Sequence, residues 1–452
     1  MNSSARSRSW NLKHLSRRHL LSIILLVAAS GYVWILPIFR PRGPFLWGYY
    51  ALKDFYLGVP LVLITLCVIL PLAVPVRYRH SFSLRLAIVT GSVLMTFAFV
   101  DAAYTFGVMG AWRADFWLDQ AHIPRRYSTT DTELGFVRKP HTSWRGYISD
   151  VDRFIDYRTD QNGFRNPPTQ QRADVVFIGD SFSEAATVSE NETFVRRVAK
   201  STGLSAINLG RGAYGPQQEL IVLKRYGVSY EPRFVVWQLF EGNDLKDARV
   251  FAEWSTIGKP SPSSLKDRYL ENSLVTAWLN HTVSRSVSTP VATLRYHDGT
   301  ARRLSLRYPY EPEEPAENPL GMAETLNAIE AGQRLCETRG IQLLVVSVPP
   351  LVRVMAPNLS FDRVEDEEFY LPEKKQGQKD FSDNLAELCA RVGCSFVDGF
   401  VALQQAAAKD NASLYIPNDE HLDVGGHEVM AQIVEDWLRS SARLTPPEND
   451  SN

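Results

Sequence analysis

The chain has 452 residues, a length that sets a prior of about two or three domains. Its 49 basic and 50 acidic residues nearly cancel, to a formal net charge of -1. No basic excess is available to neutralise phosphates, so composition gives no support to a nucleic-acid partner.

In chain order, the first third is apolar. Residues 20–39 and 55–76 carry no charged side chain, and residues 86–112 carry one, Asp101. A bilayer core takes about twenty apolar residues per helix. The runs therefore predict three transmembrane helices, over about 20–39, 55–76 and 86–108, within a membrane region spanning 1–113. A signal peptide has a shorter apolar core, and the second and third runs do not fit one. Arg6, Arg8, Lys13, Arg17 and Arg18 precede the first run, and basic residues favour the inner side. Three spans then put the rest of the chain outside the cytoplasm, with the bilayer as a partner.

Residues 114–169 are polar and turn-rich and read as a connector. From about residue 170, short apolar runs alternate with helical patterns. Strands are expected at Val175–Ile178, Ala206–Leu209, Phe234–Leu239, Leu343–Val348 and Phe396–Asp398. Helices are expected at Thr193–Lys200, Gln217–Tyr226, Ala323–Arg339 and Phe381–Arg391, with a last one from Gly425 to about Arg439. This alternation predicts an α/β domain over 170–440, a parallel sheet covered on both faces. Residues 245–320 break the pattern and read as an insertion. A second excursion covers 349–378. Residues 441–452 read as a disordered tail.

Of the four cysteines, Cys67 lies in an apolar run. Cys389 and Cys394 are close enough to bridge, leaving Cys336 over. Three unpaired, packed thiols are an equal alternative, because connectivity is not legible in sequence. No Cys/His spacing suggests a metal, and no cofactor is expected.

The polar residues gather where the strands end. "GDS" closes the first strand at Ser181, "NLGRGAYG" follows the second from Asn208, and "EGND" follows the third from Glu241. "YIPNDEHLDVGGH" runs from Tyr415 to His427. The carboxyl edge is where open α/β sheets bind ligands. A serine hydroxyl becomes a nucleophile when a base takes its proton. His421 can be that base, and Asp419 can orient its imidazole and stabilise the imidazolium. His427 is a rival base, although "GGHEVMA" reads as helix. The backbone N–H groups of Ser181 and of Gly212 or Ala213, with the Asn243 amide, can hold an oxyanion. Asp180 and Asp244 read as structural hydrogen-bonding groups, and Glu184 as a residue facing solvent or the loop.

These four blocks resemble the SGNH, or GDSL-like, hydrolase superfamily over residues 170–440. Ser181, a glycine of the 210–215 loop, Asn243 and His421 match its four letters in order. The resemblance implies a flavodoxin-like three-layer sandwich and a Ser–His–Asp site acting on esters or acyl groups. Many members carry Asp-x-x-His, whereas here position 418 is Asn and the acid is Asp419. The shorter spacing is similar to that of membrane-linked polysaccharide acetylation proteins of the superfamily.

The resulting expectation is a multi-pass bacterial inner-membrane protein with a periplasmic serine esterase domain. Its substrate would be an acyl ester, such as an O-acetyl group on an envelope glycan. An O-acyltransferase with a membrane acyl-donor partner would use the same residues. A non-catalytic envelope protein that kept the fold is the third reading.

Overall fold

The computed structural model describes residues 74–105, 127–148, 151, 153–167, 171–257, 291–296, 299–305, 315–371, 380–409, 414–417 and 419–442. The chain divides into two units, one of Met1–Leu118 with Leu265–Asn280, the other of Asp119–Ser264 with His281–Asn452.

In the first unit the described element is a helix, α1 (Val76–Thr105). Its first ten residues include Arg77, Arg79, His80 and Arg85. Leu84, Ile88, Val89, Met95 and Phe99 on it are exposed. Among the described residues no helix is long and apolar enough to cross a membrane, so the expected three spans find no support there. The first run, and the second up to residue 73, lie outside the described residues.

The second unit opens with two antiparallel hairpins inside the expected connector. They are β1 (Ser128–Asp131) with β2 (Gly135–Arg138), and β3 (Ser143–Ile148) with β4 (Arg153–Arg158). Then come β5 (Val175–Ile178), a one-turn helix α2 (Ser181–Glu184), α3 (Phe194–Thr202), β6 (Ala206–Asn208) and α4 (Pro216–Arg225). Thr193 caps α3 by accepting the Arg196 N–H, and Pro216 opens α4, as suits a position whose N–H has no helical partner. Next are β7 (Phe234–Phe240), α5 (Asp244–Ile257), β8 (Val291–Arg295), β9 (Ala301–Ser305), α6 (Pro319–Glu337), β10 (Gln342–Val348) and α7 (Leu351–Val354). The described chain ends with β11 (Leu359–Phe361), α8 (Val364–Tyr370), α9 (Phe381–Val392), β12 (Ser395–Asp398), α10 (Gly399–Lys409) and α11 (Val424–Ala442).

The central sheet has the order β12-β10-β7-β5-β6, parallel throughout. Counted along the chain, its strands run 2-1-3-4-5, the flavodoxin-like order, with its switch point between the first and third. Both faces are covered, which is why the strands are continuously apolar. On β5, Val175 and Phe177 face one layer with residues of α3, α10 and α11. Val176 and Ile178 face the other, with α4, α6 and α9. Cys389 and Cys394, at the end of α9, are joined by a disulfide with their Cα atoms 4.6 Å apart. Cys336 is free and buried.

Inside the expected insertion, β8 and β9 form a hairpin, and β11, from the second excursion, adds a third antiparallel strand. The two interruptions in the α/β pattern thus share one small sheet.

Candidate active site

Gly179 comes between β5 and the serine with a φ of +150°, which L side chains rarely adopt. A Cβ there would lie 2.6 Å from Gln238 Oε1 and from Ser183 Oγ. Only glycine fits so tight a turn. Asp180 caps α2, its Oδ1 accepting the Phe182 N–H at 2.9 Å. Ser181 begins α2, and its Oγ makes a long contact, 3.5 Å, to Asp180 Oδ2. Asp180 is fully buried. Burial pushes its carboxyl up to about 6, against the stabilising Phe182 N–H.

Asn243 stands between β7 and α5, at the switch point across from Ser181. Asp244 fixes this turn by accepting the Phe240 N–H at 2.7 Å. The Asn243 Oδ1 is buried and has no partner among the described residues. Asp180 and Asp244 are thus structural hydrogen-bonding groups, as their positions suggested.

The imidazole is held by a loop pinned at both ends. Ile416 N–H donates to the His421 carbonyl at 2.8 Å, and Tyr415 bridges Leu422. Within the loop, Asp419 Oδ1 lies 2.5 Å from His421 Nδ1. Burial works against a charged His421, but the Asp419 carboxylate outweighs it, so the ring's pKa is raised above its ordinary value. Phe182, next to the serine, lies against the His421 ring with centroids 5.1 Å apart. Thr187 Oγ1 donates to the Leu422 carbonyl at 3.2 Å, and Arg153 of β4 pairs with Asp423. These contacts tie the histidine loop to the chain after α2 and to the second hairpin. Asn418 lies outside the described residues.

His427 does not compete for the role of base. It is buried on α11, stacked on Phe194 with centroids 5.8 Å apart, and its Nδ1 accepts the Phe194 N–H at 3.4 Å. Burial and the surrounding arginines push its pKa down to about 3. It is a neutral core group.

Glu184 departs most from expectation, being buried rather than facing solvent. Its carboxylate accepts from Arg138 Nε at 3.0 Å and Nη2 at 3.1 Å, Arg211 Nη1 at 2.9 Å, Tyr157 Oη at 2.6 Å and Gly212 N at 2.8 Å. Burial alone would raise its pKa, but the two guanidinium groups hold it far below the ordinary carboxylate range. Arg138 and Tyr157 come from the two hairpins. Gly212 and Ala213, the two candidate oxyanion donors after β6, are thereby distinguished. The Gly212 N–H is taken by Glu184, whereas the Ala213 N–H has no acceptor among the described residues. The sequence held one hint of this hub, a charged Arg211 between two glycines of the site loop.

The serine turn, the Asn243 turn and the 210–215 loop all lie on the carboxyl edge of one sheet. The Asp419–His421 pair is brought to the serine turn by Phe182. This is a flavodoxin-like α/β sandwich. Solved structures similar to this chain include a GDSL-like lipase from Bacteroides thetaiotaomicron, 14% identical, covering 60% of this chain and 89% of that one at a TM-score of 0.30. Another is a catalytic mutant of the acetylxylan esterase Axe2 from Geobacillus stearothermophilus, 9% identical, covering 60% and 94% at 0.33. TesA is 11% identical, covering 59% and 98% at 0.32. The fold rests on the strand order and its parallel pairing. No protein-family model and no curated protein sequence matches the chain.

Proposed function

We propose that the chain is a membrane-anchored serine esterase acting on acyl esters, with O-acetyl groups of envelope glycans as the favoured substrate. The observation that carries this reading is the Asp419–His421 pair lying beside the turn that presents Ser181. His421 takes the Ser181 proton as Oγ bonds to the ester carbonyl carbon. Asp419 steadies the imidazolium that forms. The Ser181 and Ala213 N–H groups and the Asn243 amide hold the oxyanion. The alkoxide then leaves with the proton from His421, and water, activated by the same base, releases the acyl group from Ser181.

The anchor is supported by the apolar runs of the sequence. A periplasmic placement is supported by the basic amino end and by the Cys389–Cys394 disulfide, since disulfides persist in oxidising compartments. The test is steady-state turnover of p-nitrophenyl acetate by the detergent-solubilised full chain, with and without sugar acceptors. Hydrolysis that Ser181→Ala abolishes supports the esterase. Acetyl transfer that outpaces hydrolysis makes the chain an acyltransferase. No turnover of any acyl ester leaves the non-catalytic reading standing.

A further inference from the structure

The Glu184 carboxylate is buried and takes five hydrogen bonds, with none of the donors from the proposed Ser–His–Asp set. Four of the donors come from Arg138, Tyr157 and Arg211, which fix the carboxylate in place. The fifth is the N–H of Gly212, in the loop that must supply an oxyanion donor. That loop lies against the nucleophile, because a Cβ on Gly212 would meet Ser181 Cβ at 3.4 Å and Glu184 Oε2 at 2.8 Å. The next residue, Ala213, has a φ of +63°, a conformation unfavourable for alanine that the surrounding structure must enforce.

We propose that Glu184 is a positioning residue for the oxyanion hole: clamped by Arg138, Arg211 and Tyr157, it binds the Gly212 N–H, fixes the 211–213 turn beside Ser181 and leaves the Ala213 N–H as the loop's donor. The inference rests on the esterase reading above and adds to it a buried anion that touches no substrate. It also gives the two hairpins a task, since Arg138 and Tyr157 carry the clamp from them. Two guanidinium groups share the one carboxylate, so the clamp keeps a net positive charge behind the loop, where it favours the developing oxyanion.

Two variants of the full chain test this. Glu184→Gln keeps the size of the side chain but loses the anion that accepts all five donors. Gly212→Ala leaves Glu184 intact, but its Cβ would meet the carboxylate at 2.8 Å; the arginines hold the carboxylate, so the 211–213 turn must shift away and the Gly212 N–H bond is lost. Either displacement misplaces the donor loop, and about 1 Å of misplacement can cost ~10²-fold in rate. In variants whose circular dichroism matches wild type, kcat should fall by about tenfold or more while KM changes little. Affinity for phenylboronic acid, a mimic of the tetrahedral state, should fall in parallel with kcat. A merely structural residue would lower the melting temperature without this kcat and boronate signature. If Glu184→Gln fails to fold, Gly212→Ala decides alone. Wild-type kcat in the folded variants, with Ser181→Ala inactive, overturns the positioning role and leaves the esterase standing. Turnover that survives Ser181→Ala overturns both.

Discussion

At the scale of single residues, the site is a set of groups whose charge states are set by their neighbours. His421 must be neutral to accept a proton, and Asp419 raises its pKa. The acidic limb of a kcat/KM profile should therefore have its midpoint above the ordinary value of about 6.5 for histidine. Asp419→Asn removes the attraction and leaves the burial, so the limb should move to lower pH while kcat falls. A limb that does not move would show that His421 is not the titrating base. The same shift stabilises the fold below the unfolded histidine pKa, and that contribution is lost as pH rises through the folded one. His427 has the opposite fate. His427→Ala removes a buried ring and strands the Phe194 N–H, a loss of about 1–3 kcal/mol, readable by chemical denaturation, while kcat in the folded fraction should persist. If His427→Ala abolished turnover and His421→Ala did not, the base would be misassigned. Both histidines stand in one short stretch of sequence, and their spacing does not separate them. Their partners do: a carboxylate lies on the His421 ring nitrogen, whereas the His427 Nδ1 accepts a backbone N–H.

At the scale of elements, the two hairpins before β5 hold the Ser181 turn from outside the sheet, through Arg138 and Tyr157 on Glu184. Glu184→Ala would leave Arg138 and Arg211 buried without their anion, a loss of about 3–5 kcal/mol, far beyond that of a surface glutamate. Denaturation of the full chain would read it, and a cost of a few tenths would contradict the burial of this hub. Since Glu184 titrates well below its unfolded value, its contribution is complete above the unfolded pKa and is lost as pH falls toward the folded one. The five strands of the sheet were legible because each is a short apolar run covered on both faces, and the polar blocks stood out at their ends. The Glu184 hub was not legible. Its partners lie 46, 27 and 28 residues away, and a glutamate one turn after a serine reads as solvent-facing when only local pattern is available. The sheet of β8, β9 and β11 was hidden for the same reason, since Leu359 pairs with Leu294 across a long stretch of chain. Helix α10 escaped because it follows β12 with no turn residues between.

At the scale of the whole molecule, the α/β order and the four blocks followed from sequence, because strand–helix alternation dictates a parallel sheet and the sheet dictates where its loops converge. The apolar first third is a matter for direct measurement. Alkaline phosphatase fused after Asn452 should be active if the catalytic unit lies in the periplasm; an inactive enzyme, with a cytoplasm-active reporter working at the same point, would contradict that placement. The central claim concerns one oxygen atom. Full-length protein quenched during turnover of p-nitrophenyl acetate and digested for mass spectrometry should carry an acetyl group on Ser181. The adduct should vanish in Ser181→Ala and accumulate in a variant with slowed deacylation. Turnover with no acetyl adduct on Ser181, or with the adduct on another side chain, would contradict the account.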